Sequence, residues 1–507
     1  MSQERLFLCQ IGPVQSFIAA ARRTQDLYVG SRLLSILASA GVEAVRHYVG
    51  DSSLIFPVVL DNGKLPKSVP HRFSFISDQQ PTELAQQIED AIRERWQNIA
   101  EQVGQWLYDQ IGGGGWEDIF MKQVTAWLEF YWVAVDYDSN AHGEAYQRAV
   151  GAMAARKQGR TFTQVYEPGI KCTITGAQSA LPLDWKRLKK AIHDNQDIIL
   201  RDSEQLGALA TIKRFAGKRF AAVPGIDETS FPDTTTIAGG TREDDEENDR
   251  PLYLAVLHMD GDRMGKWLSD MQTTEEHREF SRQLAEFAEI TVPHIIQEQV
   301  KKPPKNQRGT GALVYAGGDD VLALLPLWAA LRCSDAIRRA FEDQIDGTMS
   351  AGIAITPHKL PLDGALEEAR TAAEKRAKKH YGRNAICIRQ NTGQIREAGA
   401  NWDIAQLMLD IQFCFEEDYL SGKLGYDLLT VSHELAIEST VPSLAISHEA
   451  LRLLKRRTKE GLDGDIKNKI ADLARDFDRL GNSEIVGWQS LANWVILARF
   501  LAKGAKA

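Results

Sequence analysis

Two adjacent carboxylates behind a glycine pair, Gly317-Gly318-Asp319-Asp320, are the residues of this 507-residue chain best suited to chemistry. They lie inside Gly311–Pro326 (GALVYAGGDDVLALLP), where short apolar runs flank the glycines and acids. That pattern predicts a β-hairpin with carboxylates at its tip. Upstream, the apolar run Leu252–Met259 ends in Asp260-Gly261-Asp262. A strand ending in a carboxylate, beside a hairpin tipped with carboxylates, can hold divalent cations over a nucleoside triphosphate. Two cations ~3.5–4 Å apart stabilise both the attacking and the leaving oxygen of a displacement at phosphorus. Such sites take Mg2+ or Mn2+ on one or two carboxylates plus phosphate oxygens. The metal-binding and catalytic set expected here is Asp260, Asp319 and Asp320. Gly317 and Gly318 let the backbone turn tightly and approach phosphates.

Further groups fit the triphosphate. Gly261-Asp262-Arg263-Met264-Gly265-Lys266 reads as a helix opening, and free N–H groups at a helix start bind phosphate. Gly261, Asp262 and Gly265 are therefore candidate nucleotide contacts. Lys375, Lys378 and Lys379 fall at i, i+3, i+4, on one helix face. Each has a plainer reading. Gly and Asp are the commonest turn residues, a helix-start Asp is often an N-cap, and helix lysines are usually solvated.

The element order brings the carboxylates together. Arg5–Ile11, Ser53–Leu60, His71–Ser77 and Glu129–Tyr137 read as strands. Helices are expected over Val14–Ala21, Ser31–Tyr48 after a break at Tyr28-Val29-Gly30, and Thr82–Gln110. This is β-α-β-β-α-β, the ferredoxin-like order, and it repeats from Pro251. After Leu252–Met259 come a helical region to Gln299, the hairpin, a helix at 328–344, a strand at 348–355, a helix at 363–380 and a strand at 384–389. In this order the first strand neighbours the hairpin, so Asp260 faces Asp319-Asp320. The first repeat has Gly12-Pro13 where the second has Asp260-Gly261, and no acidic tip, so it is read as non-catalytic. Between the repeats, 142–156 and Trp185–Phe220 read as helical and 161–181 as irregular. Residues 224–250 read as a linker ending in the acidic run Glu243–Asp249, a solvated segment rather than a metal site. Beyond 400 no strand is expected. Ile404, Leu407, Met408 and Ile411 begin a helical bundle, whose basic cluster Lys455–Lys459 reads as a solvated face.

The expected fold class is α+β. The parts are a first ferredoxin-like domain (1–160), a helical domain with the acidic linker (161–250), a second ferredoxin-like domain carrying the GGDD site (251–395) and a C-terminal helical bundle (396–507). Net charge is −9, so any nucleic-acid contact must be local. The five cysteines (Cys9, Cys172, Cys333, Cys387, Cys414) form no C-x-x-C pair, which suits a reducing cytoplasm. No apolar run approaches the ~18 residues of a membrane span, and no membrane association is expected.

The chain resembles the large palm subunit of type III CRISPR effector complexes, on the type III-B branch. Ile11–Ser31 (IGPVQSFIAAARRTQDLYVGS), Tyr253–Leu268 (YLAVLHMDGDRMGKWL), Tyr315–Asp320 (YAGGDD) and Ser350–Leu362 (SAGIAITPHKLPL) carry the likeness. Ala372–Lys379 followed by Gly382-Arg383-Asn384-Ala385-Ile386 adds to it. The resemblance implies two palms with a helical domain between them, and partnership with guide RNA, target RNA and other type III-B subunits. It also implies conversion of ATP to cyclic oligoadenylates at Asp260, Asp319 and Asp320, with Ser350 near the nucleotide. Two departures follow. Many relatives start with an HD nuclease domain; here the first palm strand opens the chain and His193-Asp194 stands mid-chain, so no HD nuclease activity is expected. Many carry two C-x-x-C pairs between the palms; here Cys172 stands alone and Ser203–Arg214 has no cysteine, so no zinc is expected. The rival readings are a nucleotide-binding scaffold subunit with weak or no turnover and a stand-alone cyclase similar to GGDEF enzymes.

Overall fold

The computed structural model describes residues 3–60, 62–159, 167–192, 199–226, 231–241, 252–391, 395–437, 443–483 and 486–504. The dipeptide His193-Asp194 and the acidic run Glu243–Asp249 lie outside the described residues. The chain divides into two units. One holds Met1–Phe231 with Arg263–Glu289, the other Pro232–Asp262 with Ile290–Ala507.

In the first unit, β1 (Arg5–Gly12), β2 (Leu54–Phe56), β3 (Arg72–Ser77) and β4 (Glu129–Asp136) form one sheet in the order β2-β3-β1-β4. All its pairs are antiparallel. β1 is apolar along most of its length because both of its faces are covered. Phe7, Cys9 and Ile11 enter the main core, while Leu6 and Leu8 pack with Ala145, Tyr146 and Met153. The helix Pro81–Ile111 buries Leu84, Ile88, Ile92, Trp96, Ile99, Val103 and Leu107, the apolar stripe of a helix on a core.

Several expectations for this unit need correction. Gly30 does not break a helix; Thr24–Tyr48 is continuous. A Cβ at Gly30 would lie 3.0 Å from Lys213 Cδ, so the glycine gives room to a crossing side chain. A helix at Glu117–Trp127 fills the gap before β4. Trp185–Phe220 is not one helical segment but contains the short helices Trp185–Ala191 and Ala208–Phe215. Cys172 is buried. Nearby, Arg214 reaches Asp26 through two nitrogens at 2.7 and 2.8 Å and Glu204 at 3.1 Å, all buried. Lys213 donates to the carbonyls of Phe17 and Ala20, which ends the helix Gln15–Ala19. Residues 263–289, which run in sequence between two strands of the other sheet, pack with this unit. Their contacts account for this: Leu268 packs against the cluster of Leu6, Ala145 and Tyr146, His277 Nδ1 lies 3.1 Å from His142 Nε2, and Arg278 donates to the carbonyls of Ser52 and Leu54.

In the second unit, β5 (Tyr253–Gly261), β6 (Ala312–Gly317), β7 (Asp320–Pro326), β8 (Met349–Pro357), β9 (Ala385–Asn391) and β10 (Ile395–Asn401) form a sheet ordered β10-β9-β8-β5-β7-β6. The β8-β5-β7-β6 part repeats the topology of the first sheet. β9 runs parallel to β8, and β10 pairs antiparallel with β9. β10 was not anticipated, and the sheet continues past residue 395. Its residues IREAGAN alternate weakly and contain a glycine, so they carry little strand signal. A Cβ at Gly399 would overlap the Tyr381 ring, which explains that glycine. The helices Ala405–Glu416, Leu424–Ile437, Ser443–Arg457, Gly464–Gly481 and Gly487–Lys503 follow. Gly487–Lys503 buries Leu491, Trp494, Val495, Leu497 and Leu501. Among the described residues no helix is long and apolar enough to cross a membrane.

Candidate active site

β5 is the centre of the site. In register, Asp260 pairs with Asp320 on β7 and with Ser350 on β8. The β6–β7 hairpin closes through Gly317 opposite Asp320, with Gly318 and Asp319 forming the turn. The two glycines have different jobs. Gly318 has φ +72°, as the first central residue of a tight hairpin turn requires. A Cβ at Gly317 would instead overlap the Tyr315 phenol. Asp319 accepts at its carbonyl from the Gly261 N–H at 3.2 Å, which ties the turn to the end of β5.

Three carboxylates therefore share the tip of two paired strands. Burial first, then the neighbouring Asp260 and Asp320 charges, push the Asp319 carboxyl well above the usual carboxylate range. Burial and Asp260 push Asp320 up to about 8. The Asp320 side chain keeps 41% of its surface exposed, so we assign more of its shift to like-charge crowding than to desolvation. The partly buried Tyr315 phenol is raised well above its ordinary value by desolvation and by the same three aspartates. Crowded carboxylates of this kind are relieved by a cation.

The other candidates separate. Asp262 is buried and fully engaged. Its Oδ1 accepts from Ser350 Oγ at 2.8 Å, and its Oδ2 accepts from Thr348 Oγ1 at 2.9 Å and from the Asn384 N–H at 2.8 Å. Asp262 and Ser350 thus hold each other and join the starts of β8 and β9, and neither faces a nucleotide freely. Nor does Asp262 cap a helix: the helix Met264–Asp270 has Arg263 at its N-cap, with φ +59°. Gly265 is exposed in that seven-residue helix, which belongs to the first unit. The three lysines do not share a face. Leu362–Arg370 continues as a π-wound segment, Thr371–Lys378, and the wider winding breaks the i, i+3, i+4 spacing. Lys375 and Lys379 are exposed. Lys378 turns inward, donating to Asp260 Oδ2 and, at 3.0 Å, to the Gly261 carbonyl.

Three residues near the acids were not anticipated. His258 sits two positions before Asp260 on the same face of β5, its Nε2 3.6 Å from Asp320 Oδ1. Burial lowers its pKa, opposed by Asp260 and Glu374. Arg370 and Glu374 pair at 3.3 Å on the inward helix, and both bear on Asp320 electrostatically. The strand's period of two could have pointed to His258; no sequence signal marks the π winding.

The donor set is all oxygen, which suits Mg2+ or Mn2+, and Asp320 Oδ1 is buried without a hydrogen-bond partner. Among the described residues no three His, Cys, Asp or Glu side chains converge as they stand to hold an ion. Asp260 is turned to Lys378 and Asp320 towards His258.

Comparison with known proteins agrees with this architecture. The family described as Cas10/Cmr2, second palm domain, matches residues 253–387. That described as CRISPR-associated protein Cmr2, N-terminal, matches residues 6–101. The chain is 29% identical over 269 residues to the CRISPR system Cmr subunit Cmr2 of Pyrococcus furiosus. That match spans 46% of this chain and 30% of the relative's length. In fold, the whole chain superposes on 82% of a chain of the type III-B Cmr-beta complex in its apo state, with TM-score 0.73 and 12% identity. It also superposes on a chain of the Csm1–Csm4 cassette solved with cA4, over 99% of this chain and 70% of the other, with TM-score 0.56 and 16% identity. The same cassette solved with one ATP gives TM-score 0.54 at 15% identity, over 98% of this chain and 70% of that one.

Proposed function

We propose that the chain is a palm protein of the Cas10/Cmr2 type that converts ATP to cyclic oligoadenylate within an RNA-guided type III-B complex. The observation that carries the reading is the register of β5 and β7, which sets Asp260 opposite Asp320 on neighbouring strands. Asp260, Asp319 and Asp320 would hold Mg2+ or Mn2+, which when bound supplies positive charge to the attacking and leaving oxygens. The tight Gly318 turn lets a triphosphate approach the backbone, and Asp262, with Ser350, keeps the strand ends in place. Guide RNA, target RNA and the other subunits of the complex are the proposed partners. The cassette solved with cA4 and with one ATP supports the choice of adenine nucleotides.

The test uses assembled complex with matching target RNA, labelled ATP and Mg2+ or Mn2+. Oligoadenylate and pyrophosphate are expected, and the double variant Asp319→Ala/Asp320→Ala should make neither. Native complex giving no more product than that variant would sink the proposal. One observation favours the scaffold reading, in which nucleotide binds without turnover: Asp260 is held by Lys378 rather than left to a cation. ATP binding without pyrophosphate release would select it.

A further inference from the structure

Lys378 stands where a cation would be welcome. Its ammonium contacts Asp260 Oδ2 and lies 3.0 Å from the Gly261 carbonyl oxygen. Both oxygens are hard donors of the kind that Mg2+ and Mn2+ take. The contact is partly sheltered, with the Lys378 side chain 14% and the Asp260 side chain 30% exposed. The π-wound segment Thr371–Lys378 brings the lysine there, while Lys375 and Lys379 remain in solvent. The segment can press close to the sheet because of Gly352, where a Cβ would overlap the backbone of Ala369 and Ala373. Gly352 stands opposite His258 in the β5–β8 register, so the helix is seated over the acidic end of β5.

We propose that Lys378 is an internal counter-ion that competes with the metal for Asp260, so that loading the site requires its ammonium to leave the carboxylate. This inference rests on the metal-site reading above and adds a sign to it. A lysine that stands clear of the carboxylates and only anchors a triphosphate changes metal affinity little when it is removed. A competing lysine does the opposite: without it the three carboxylates repel one another unrelieved, and a cation binds more tightly.

The experiment is Mn2+ binding to the full chain without nucleotide, read by electron paramagnetic resonance of the free ion. It compares the native protein, Lys378→Met, Lys378→Arg and Asp260→Asn, with circular dichroism confirming the fold of each. Lys378→Met is expected to tighten Mn2+ binding about tenfold, as when a partly sheltered ion pair no longer has to be broken. Lys378→Arg, which keeps the charge, should stay near the native affinity. Equal or weaker binding by a folded Lys378→Met protein overturns the inference while leaving the metal site intact. If the native protein binds no more Mn2+ than Asp260→Asn, the metal-site reading itself fails, and the inference falls with it.

Discussion

The carboxylate of Asp262 receives hydrogen bonds from Ser350, Thr348 and the Asn384 N–H, and together these fix the strand ends around Asp260. Gly382, Arg383 and Asn384 all have positive φ, a costly run that the Asp262 acceptor helps to hold. Asp262→Ala would leave three donors without their acceptor. It should destabilise the protein by about 3 kcal/mol, the scale of a broken buried network, seen as a lower urea midpoint. An unchanged midpoint would mean that the network carries no stability. His258 belongs to the same scale. If its ring orients Asp320, His258→Phe should weaken Mn2+ binding about tenfold, the lower end of what losing a ligand's supporting partner costs. Calorimetric titration would report it, and an unchanged affinity would remove His258 from the site.

Among the elements, the inward helix Leu362–Lys378 depends on a single missing methyl group. Gly352→Ala forces the helix and β8 apart, since the overlap is with backbone atoms that cannot rotate away. A loss of roughly 2 kcal/mol is expected for such overpacking, read by thermal melting. Gly364→Ala, on the same helix but with nothing within 4 Å of the added carbon, should leave the melting temperature nearly unchanged. Most elements were legible because their residues alternate or recur with a clear period. Leu252–Met259 and the GGDD hairpin are apolar runs bounded by turn residues, so both strands and their carboxylates could be placed. What escaped was decided by distant partners. Gly30 reads locally as a break, yet Lys213 explains it. The lysine spacing reads as an ordinary helix face, yet the π winding sends Lys378 alone to Asp260. Asp262 and Asp260 look alike in sequence, and only their partners separate them: Asp262 accepts from Thr348, Ser350 and the Asn384 N–H, and Asp260 from Lys378.

For the molecule as a whole, acid should be a more selective stress than the net charge of −9 suggests. His142 and His277 are fully buried, with His142 Nε2 3.1 Å from His277 Nδ1 and the Tyr137 hydroxyl 3.3 Å from His142 Nδ1. Burial, then the neighbouring imidazole, lowers His277 to about 3, and burial lowers His142 as well. His277 stays neutral in the fold where it would protonate in the unfolded chain, near pH 6.5. The His277 contribution is therefore fully present above about pH 6.5 and is lost as pH falls from there towards 3, by roughly 1.4 kcal/mol per pH unit below its unfolded pKa, and His142 acts in the same direction. Urea midpoints at pH 7.5 and 5 should differ accordingly, and His277→Gln should flatten the difference; a native midpoint independent of pH would refute the assignment. The repeated β-α-β-β-α-β order was visible in the sequence, but the division into units was not, because contacts with distant residues, Arg278 with Ser52 and Leu54 and His277 with His142, rather than any linker composition, group Arg263–Glu289 with the first unit. That assignment has a consequence for how the protein is made. The ribosome delivers Pro232–Asp262, including the first strand of the second sheet, before the first unit has received its last helices. Neither unit can finish in the order in which it is synthesised. β5 must wait, unpaired, for partners more than fifty residues behind it, an apolar strand left without its neighbours while the chain is still being made.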